Sequence, residues 1–263
     1  MKTGPQPASP QIRRERALEI ADHLQDHFQS RIVAVGVYGS IARDSDGPYS
    51  DIEMHCVISG SGIDDSIEWS AGGWKAEVDI LSPDVILEQA SQVDCDWPIT
   101  HGAYVRVWPI YDPSLLFPRL RETVYSQPES RFTKVIKDVI IGEIYELVGK
   151  IRNAQTSQVW AGLPYMTVAM VMHSACLVGL AHRQLYTSLA GIFSESLAFS
   201  NLPEGYPALC ELAASGRLED PAHNIRLIDT CWDGIEAWAA SQGIILHDQF
   251  SDLLAASDLS SIP

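Results

Sequence analysis

Positive charge is scarce in this chain. Its 263 residues hold 18 Lys and Arg against 34 Asp and Glu, a formal net charge of −16. A nucleic-acid partner needs a basic footprint for its phosphates, so this balance argues against one. It suits a cationic small molecule drawn toward a negative cleft. Long apolar runs are missing too. The longest candidate, near Val135–Val148, is broken by Lys137, Asp138, Glu143 and Glu146, which predicts no membrane span. The N-terminal MKTGPQPASP has no apolar stretch of the kind a secretory signal needs. Five cysteines (Cys56, Cys95, Cys176, Cys210, Cys231) are scattered, odd in number and without metal-ligand spacing. They predict buried thiols in a reducing, cytoplasmic setting. The eight histidines show no ligand spacing, and no repeat or low-complexity tract is visible.

What is present is concentrated between residues 31 and 80. An apolar run, Arg31–Tyr38 (RIVAVGVY), ends in Gly39-Ser40, a turn-prone pair. A second run begins at Ser50-Asp51-Ile52-Glu53. On a strand, side chains alternate faces, so Asp51 and Glu53 point one way while Ile52 and Met54 point the other. Two adjacent acids repel unless a cation sits between them, and a divalent metal held by carboxylate oxygens answers that. The Gly39-Ser40 turn offers N–H groups and a hydroxyl to a phosphate. Either feature alone is usually a plain turn or a wet strand face. Their succession, strand to Gly-Ser to Asp-x-Glu strand, is the equipment of phosphoryl or nucleotidyl transfer. A third acid is expected from the alternating strand Trp74–Ile80, where Lys75, Glu77 and Asp79 share a face; the pattern leaves Glu77 and Asp79 both open.

The rest of the chain organises around this motif. Ser9-Pro10 predicts a helix start, with apolar positions recurring to about Gln29. Strands are expected near 31–38, 50–58, 74–80 and 104–111, a short helix near 83–91, and a hairpin loop over Ser59–Ser66. From Glu129 the period turns to 3.6, with further helices near 163–185, 187–199, 206–215 and 221–242. The expected class is an α/β (α+β) nucleotidyltransferase domain with a mixed sheet, residues 1–127, followed by a helical bundle, residues 128–263. Trp69, Trp74 and Trp97 are candidates to line the cleft, while His101 reads as a packed or capping histidine.

Several segments resemble the aminoglycoside 4'-O-nucleotidyltransferases (the kanamycin nucleotidyltransferase family). They are Val37-Tyr38-Gly39-Ser40, Asp46–Met54, Glu68-Trp69, Trp74–Val78, Asp96-Trp97-Pro98, Thr100-His101-Gly102, Glu143–Asn153, Asn201–Tyr206 and Trp232–Ile235. The likeness runs from about residue 12 to about 245. Its Gly-Ser and Asp-x-Glu core is shared by the wider polymerase-beta-like superfamily and speaks only to reaction type. The longer string through Glu53, with Glu146 and Lys150, is specific to the antibiotic-modifying family.

The resemblance implies an enzyme that transfers a nucleoside monophosphate from ATP or another nucleoside triphosphate to the 4'-hydroxyl of an aminoglycoside, releasing pyrophosphate. Asp51, Glu53 and Glu77 would hold Mg²⁺. Gly39, Ser40, Arg43, Ser50 and Lys150 would bind the nucleotide. Glu146 would act as general base, and Glu68, Lys75, Glu77, Asp96 and Glu143 would meet the drug. Gly142 stands where the family pattern has a second acid, which implies one substrate contact fewer. The family also implies a homodimer with shared active sites. Two other readings remain open at this point: a nucleotidyltransferase acting on a protein or small-metabolite hydroxyl, and a nucleotide-binding regulator with a vestigial site.

Overall fold

A computed structural model describes residues 4–251; the ends of both expected domains, residues 1–3 and 252–263, lie outside the described residues. The chain divides into two compact units, Met1–Val93 with Thr100–Pro128, and Asp94–Ile99 with Glu129–Pro263.

The first unit opens on α1 (Pro10–Phe28). The Ser9 hydroxyl accepts from the Ile12 N–H and Pro10 occupies the first turn, as the sequence predicts. The other elements are β1 (Ile32–Val37), a four-residue helix α2 (Gly39–Ala42), β2 (Ile52–Ile58), β3 (Asp64–Ser70), β4 (Lys75–Leu81) and α3 (Pro83–Ser91). After α4 (Trp97–Thr100), whose residues up to Ile99 belong to the second unit, come α5 (Gly102–Val105), β5 (Trp108–Tyr111) and α6 (Leu116–Tyr125). The strands form one mixed sheet in the order β3-β4-β2-β1-β5. β2 and β4 run parallel, and every other pairing is antiparallel. One sheet face is apolar: Ile52, Met54, Cys56, Ala76, Val78 and Ile80 form a core with Ala17 and Ala21 of α1. Burying each such aliphatic side chain contributes about 1.5–3 kcal/mol. The other face carries the polar alternates.

Three local expectations give way here. Residues 64–70 form a strand where the hairpin loop was expected to run on to Ser66. β3 is an edge strand with almost every residue exposed, and only the short alternation around Ile67 and Trp69 announces it. The strand expected over 104–111 shrinks to Trp108–Tyr111, with α5 in front of it, and α6 was not foreseen.

The second unit contains α7 (Glu129–Asp138), a π-helical stretch over Val139–Tyr145, α8 (Glu146–Ser157), α9 (Leu163–His182), α10 (Ile192–Ser196), α11 (Tyr206–Ser215) and α12 (Pro221–Ser241). The single 3.6-period helix read from Glu129 onward is thus two α-segments joined through wider turns. The helix expected over 187–199 reduces to a 3₁₀ turn and α10. α9 is long and apolar enough to cross a membrane by length and composition, contrary to the reading that no run approaches that length. It is the central helix of the bundle, with Met170, Val171, Ala175, Leu177 and Leu180 fully buried, and α7, α8, α11 and α12 pack on it. A helix apolar on all sides is what such a position requires.

The matched segments 201–206 and 232–235 meet inside this unit. A Cβ at Gly234 would overlap the backbone of Glu204, and Gly205, at φ +78°, lies against the backbone of Thr230 and Cys231. Trp238 donates its indole N–H to the Asn201 carbonyl at 2.9 Å. These residues therefore hold the bundle together.

Candidate active site

The polar sheet face is ordered in rows by strand register. Glu53 of β2 stands opposite Glu77 of β4, and Glu77 stands opposite Glu68 of β3. Three carboxylates therefore form one line across three strands. Asp51 lies just ahead of β2, and Lys75 opens β4 beside it. The Lys75 ammonium is 3.5 Å from Asp51, 2.6 Å from Glu68 and 4.0 Å from Glu77. Like charges directly opposite one another destabilise a sheet, so the line persists only with cations in reach. Lys75 is one such cation. Its hydrogen bond to Glu68, ahead of its attraction to Asp51, raises its pKa.

Glu53 bears most of the strain. Burial first, then the charges of Asp51 and Glu77, push its carboxyl up to about 7, against the opposing pull of Arg43 and Lys75. Burial and the Asp79 charge raise Glu77 as well. Acids poised in this way accept a further positive charge readily. Among the described residues, no three His, Cys, Asp or Glu side chains are already gathered closely enough to enclose a metal ion. The arrangement is an open cradle of oxygen donors on one strand face. That fits a divalent cation which takes its remaining ligands from water and substrate oxygens. Nucleotidyl transfer in general relies on divalent metal.

The Gly39-Ser40 turn stands beside Glu53. Gly39 has φ +70°, and a Cβ there would overlap the Glu53 carboxylate. Only glycine lets the backbone come so close. Ser40 begins the last turn of α2, and its carbonyl accepts from Arg43 N and Ser45 N. Ser50 accepts from the Gly47 N–H at 3.0 Å, which closes the loop just before Asp51. The structure therefore brings Gly39, Ser40, Arg43, Ser50, Asp51, Glu53, Glu68, Lys75 and Glu77 into one unit on adjoining segments.

Asp79 is engaged elsewhere. Its Oδ2 accepts from the Tyr38 hydroxyl at 3.0 Å and lies 3.2 Å from His55 Nδ1. The His55 ring, fully buried, stacks on Tyr38 and on Tyr104, and its Nε2 is 3.2 Å from the Ala103 carbonyl. His101 is buried at the start of α5 with Thr100 Oγ1 at 3.1 Å, which matches its reading as a packed residue.

The tryptophans do not line the acid face. Trp69 and Trp74 pack on the apolar side of the sheet, and Trp97 is fully buried against Phe132 in the second unit. On β3 the position next to the outward Glu68 must point inward, and Trp69 takes it, while Trp74 stands just ahead of β4 next to the outward Lys75.

The remaining candidates belong to the second unit. Asp96 is exposed in the turn before α4, its N–H bound to Asp94. Glu143 lies in the π-helical stretch with its carboxylate 3.7 Å from His173 Nε2. Glu146 opens α8 and pairs with Lys150 one turn on, at 2.6 Å. That hydrogen bond holds the Glu146 carboxyl below its usual range and raises Lys150, which also feels the Glu143 charge. A π-helical interruption inside an α-helix often marks a functional site, and this one ends one residue before Glu146. Gly142 lies in the same stretch with open space where a side chain would stand.

Sequence reading passed over Arg13. It is 1% exposed, and it repeats at i, i+4, i+8 with the core residues Ala17 and Ala21. A charged residue on the apolar stripe of a helix was the available signal.

A family model described as the KNTase C-terminal domain matches residues 114–245. Two relatives, from Bacillus sp. and Staphylococcus aureus, are each named aminoglycoside nucleotidyltransferase (4'). Each is 39% identical over 228 residues, covering 87% of this chain and 90% of the relative. The chain belongs to the aminoglycoside 4'-nucleotidyltransferase family. Its fold also resembles that of a nucleotidyltransferase-like protein from Exiguobacterium sibiricum 255-15. The TM-score is 0.54 at 10% identity, covering 93% of this chain and 81% of that one. At that identity the likeness concerns the fold alone.

Proposed function

We propose that the protein transfers a nucleoside monophosphate from ATP to the 4'-hydroxyl of an aminoglycoside antibiotic, releasing pyrophosphate and conferring resistance. The observation that carries this is the line Glu53, Glu77 and Glu68 beside Asp51, on the open face of a sheet in a chain of this family. In the reaction, a bond forms between the 4'-oxygen and the α-phosphorus. The bond from the α-phosphorus to the α–β bridging oxygen of the phosphoanhydride breaks, and that oxygen leaves with the electron pair as part of pyrophosphate.

Asp51, Glu53 and Glu77 are the residues that would hold Mg²⁺, which when bound offsets the charge of the phosphates. The engagement of Asp79 with Tyr38 and His55 supports Glu77 as the third acid. Ser40, Ser50, Arg43 and the Gly39 turn bind the triphosphate. Lys150 meets the phosphates from the helical unit of a second subunit in a homodimer, as the family resemblance implies. Glu146 takes the hydroxyl proton. The Glu146–Lys150 pair gives this step an order: while paired, Lys150 lowers the basicity of Glu146. A lysine turned to the phosphates leaves a stronger base behind. Glu68, Asp96 and Glu143 pair with the drug's ammonium groups, and Lys75 holds Glu68 and Asp51 until the substrate arrives.

Asp51→Asn and Glu53→Gln test the assignment, with labelled ATP, Mg²⁺ and kanamycin as substrates. Each is expected to lower turnover by about a hundredfold or more while circular dichroism is unchanged. Turnover near the parent's in either folded variant would remove the site.

A further inference from the structure

Arg13 lies in α1, outside every segment that carries the chemistry, yet it is among the largest fully buried side chains in the protein. Its guanidinium divides its fork between one loop and the segment before α1. Nε donates to Asp46 Oδ2 at 2.7 Å, and Nη2 pairs with the same oxygen. Nη1 donates to the carbonyls of Ala8, at 2.7 Å, and Pro48, at 3.1 Å. The Asp46 side chain is 3% exposed, so this ion pair is sealed from water. Ala8 N–H in turn donates to the Pro48 carbonyl at 2.9 Å, and Gln6 N–H to the Gly73 carbonyl at 2.7 Å. The segment before α1 thus crosses the loop and is fastened at both sides. The neighbouring Arg14 pairs with Asp44 at the near end of the same loop.

That loop, residues 43–51, leads from α2 into β2 and delivers Ser50 and Asp51. It has no ladder hydrogen bonds of its own. Ordering it costs about 1–2 kcal/mol per residue in backbone entropy. A buried ion pair is a poor device for overall stability, because desolvating the two charges cancels most of their attraction. Its geometric demand is strict, however, and a planar guanidinium with several fixed partners tolerates little displacement.

We propose that the buried Arg13–Asp46 clamp is a positioning element of the active site: it fixes the 43–51 loop, so that Asp51 and Ser50 stand in register with Glu53 and Glu77. Arg13 touches no reacting atom and acts through the loop. The proposal rests on the assignment of Asp51 to the cation site.

The test uses Asp46→Asn, which keeps shape, together with Arg13→Lys and Arg13→Met, and Asp51→Asn as reference. Ala21→Gly, a cavity in α1 far from the loop, matches the loss of stability. Four quantities are read: kcat, KM for kanamycin, the half-saturating Mg²⁺ concentration, and amide exchange of the 43–51 peptide. The clamp predicts that Asp46→Asn raises half-saturating Mg²⁺ about tenfold and lowers kcat about tenfold to a hundredfold, with kanamycin KM within about twofold. Exchange quickens at 43–51 and stays slow in β2, and Arg13→Lys recovers part of the loss that Arg13→Met suffers. Ala21→Gly changes none of these. Uniformly faster exchange with an unaltered Mg²⁺ requirement would overturn the proposal, and so would Asp46→Asn behaving like the parent. Failure of all three clamp variants to fold would make the pair a requirement of the fold and overturn it too. An Asp51→Asn enzyme at full activity would instead remove the underlying site, whatever the clamp variants do.

Discussion

Glu53 is the side chain on which the electrostatics of the first unit converge. Its carboxyl titrates near 7 because it is buried beside Asp51 and Glu77. In the unfolded chain it would titrate near the ordinary value, about 4.3. Below that value the residue is protonated in both states and has no effect on stability. As pH rises toward about 7 the unfolded chain releases this proton and the folded chain keeps it, so stability falls over that window. Above it the full penalty remains, on the order of 3–4 kcal/mol before solvent screening of the half-buried group reduces it. Thermal melts of the metal-free protein from pH 4.5 to 7.5 should therefore show a decline that Glu53→Gln flattens and added Mg²⁺ reduces. A profile identical in Glu53→Gln would refute the shift. The choice between Glu77 and Asp79 belongs at this scale too. Alternation put both on one face and could go no further; register and partners separate them. Glu77 stands beside Glu53, whereas Asp79 is held by Tyr38 and His55. Glu77→Ala should raise the Mg²⁺ requirement about tenfold or more, with Asp79→Ala nearer the parent. The reverse order in a Mg²⁺ titration of activity would reassign the third acid. Arg13 shows what a sequence half hides at this scale: its spacing with Ala17 and Ala21 hints that it faces inward, but its partners Asp46 and Pro48 lie far along the chain.

Elements were legible where one face met a core and the other met water. β4 alternates for that reason, and α1 begins where its cap says it should, whereas β2 is buried on both faces past Glu53. β3 was hidden because it is a mostly exposed edge strand in which only Trp69 is partly buried, and the π-helical stretch because apolar positions recur there at nearly helical spacing. The α2 turn was legible as Gly-Ser, yet its reason was not: Gly39 is required by the Glu53 carboxylate, a contact between residues fourteen apart. Gly39→Ala therefore meets two penalties at once. The left-handed backbone costs an alanine about 1–2 kcal/mol, and the new methyl must displace Glu53. Turnover should fall about a hundredfold, since an error of about 1 Å at a reacting centre has that effect. The melting temperature should fall by only a few degrees. A Gly39→Ala enzyme with normal kcat and normal Mg²⁺ dependence would show that Glu53 is not held where its function needs it.

At the scale of the molecule, the candidate residues fall into two groups, one in each compact unit. Asp51, Glu53 and Glu77 belong to the sheet unit, and Glu146 and Lys150 to the helical unit. A general base must come within hydrogen-bond reach of the hydroxyl or act through one water. The family resemblance implies that Glu146 does so from a neighbouring subunit, and a two-fold axis would make both sites of such a dimer identical. This has a consequence that a site built within one subunit does not share. Take Asp51→Asn and Glu146→Gln, each nearly inactive alone. In a mixed dimer with shared sites, one site receives both lesions and the other receives neither. Random pairing of equal amounts should then restore about a quarter of the parent activity. If each subunit builds its own site, every site in the mixed dimer keeps one lesion and activity stays near zero. Tagged subunits co-expressed and purified through both tags isolate the mixed dimer, and mass spectrometry confirms its composition before the assay. Absence of rescue in a confirmed mixed dimer would rule out the shared site while leaving Glu146 as a base within its own subunit. Full activity of Glu146→Gln alone would remove that role as well, and the proton would then have to pass to one of the sheet unit's own carboxylates.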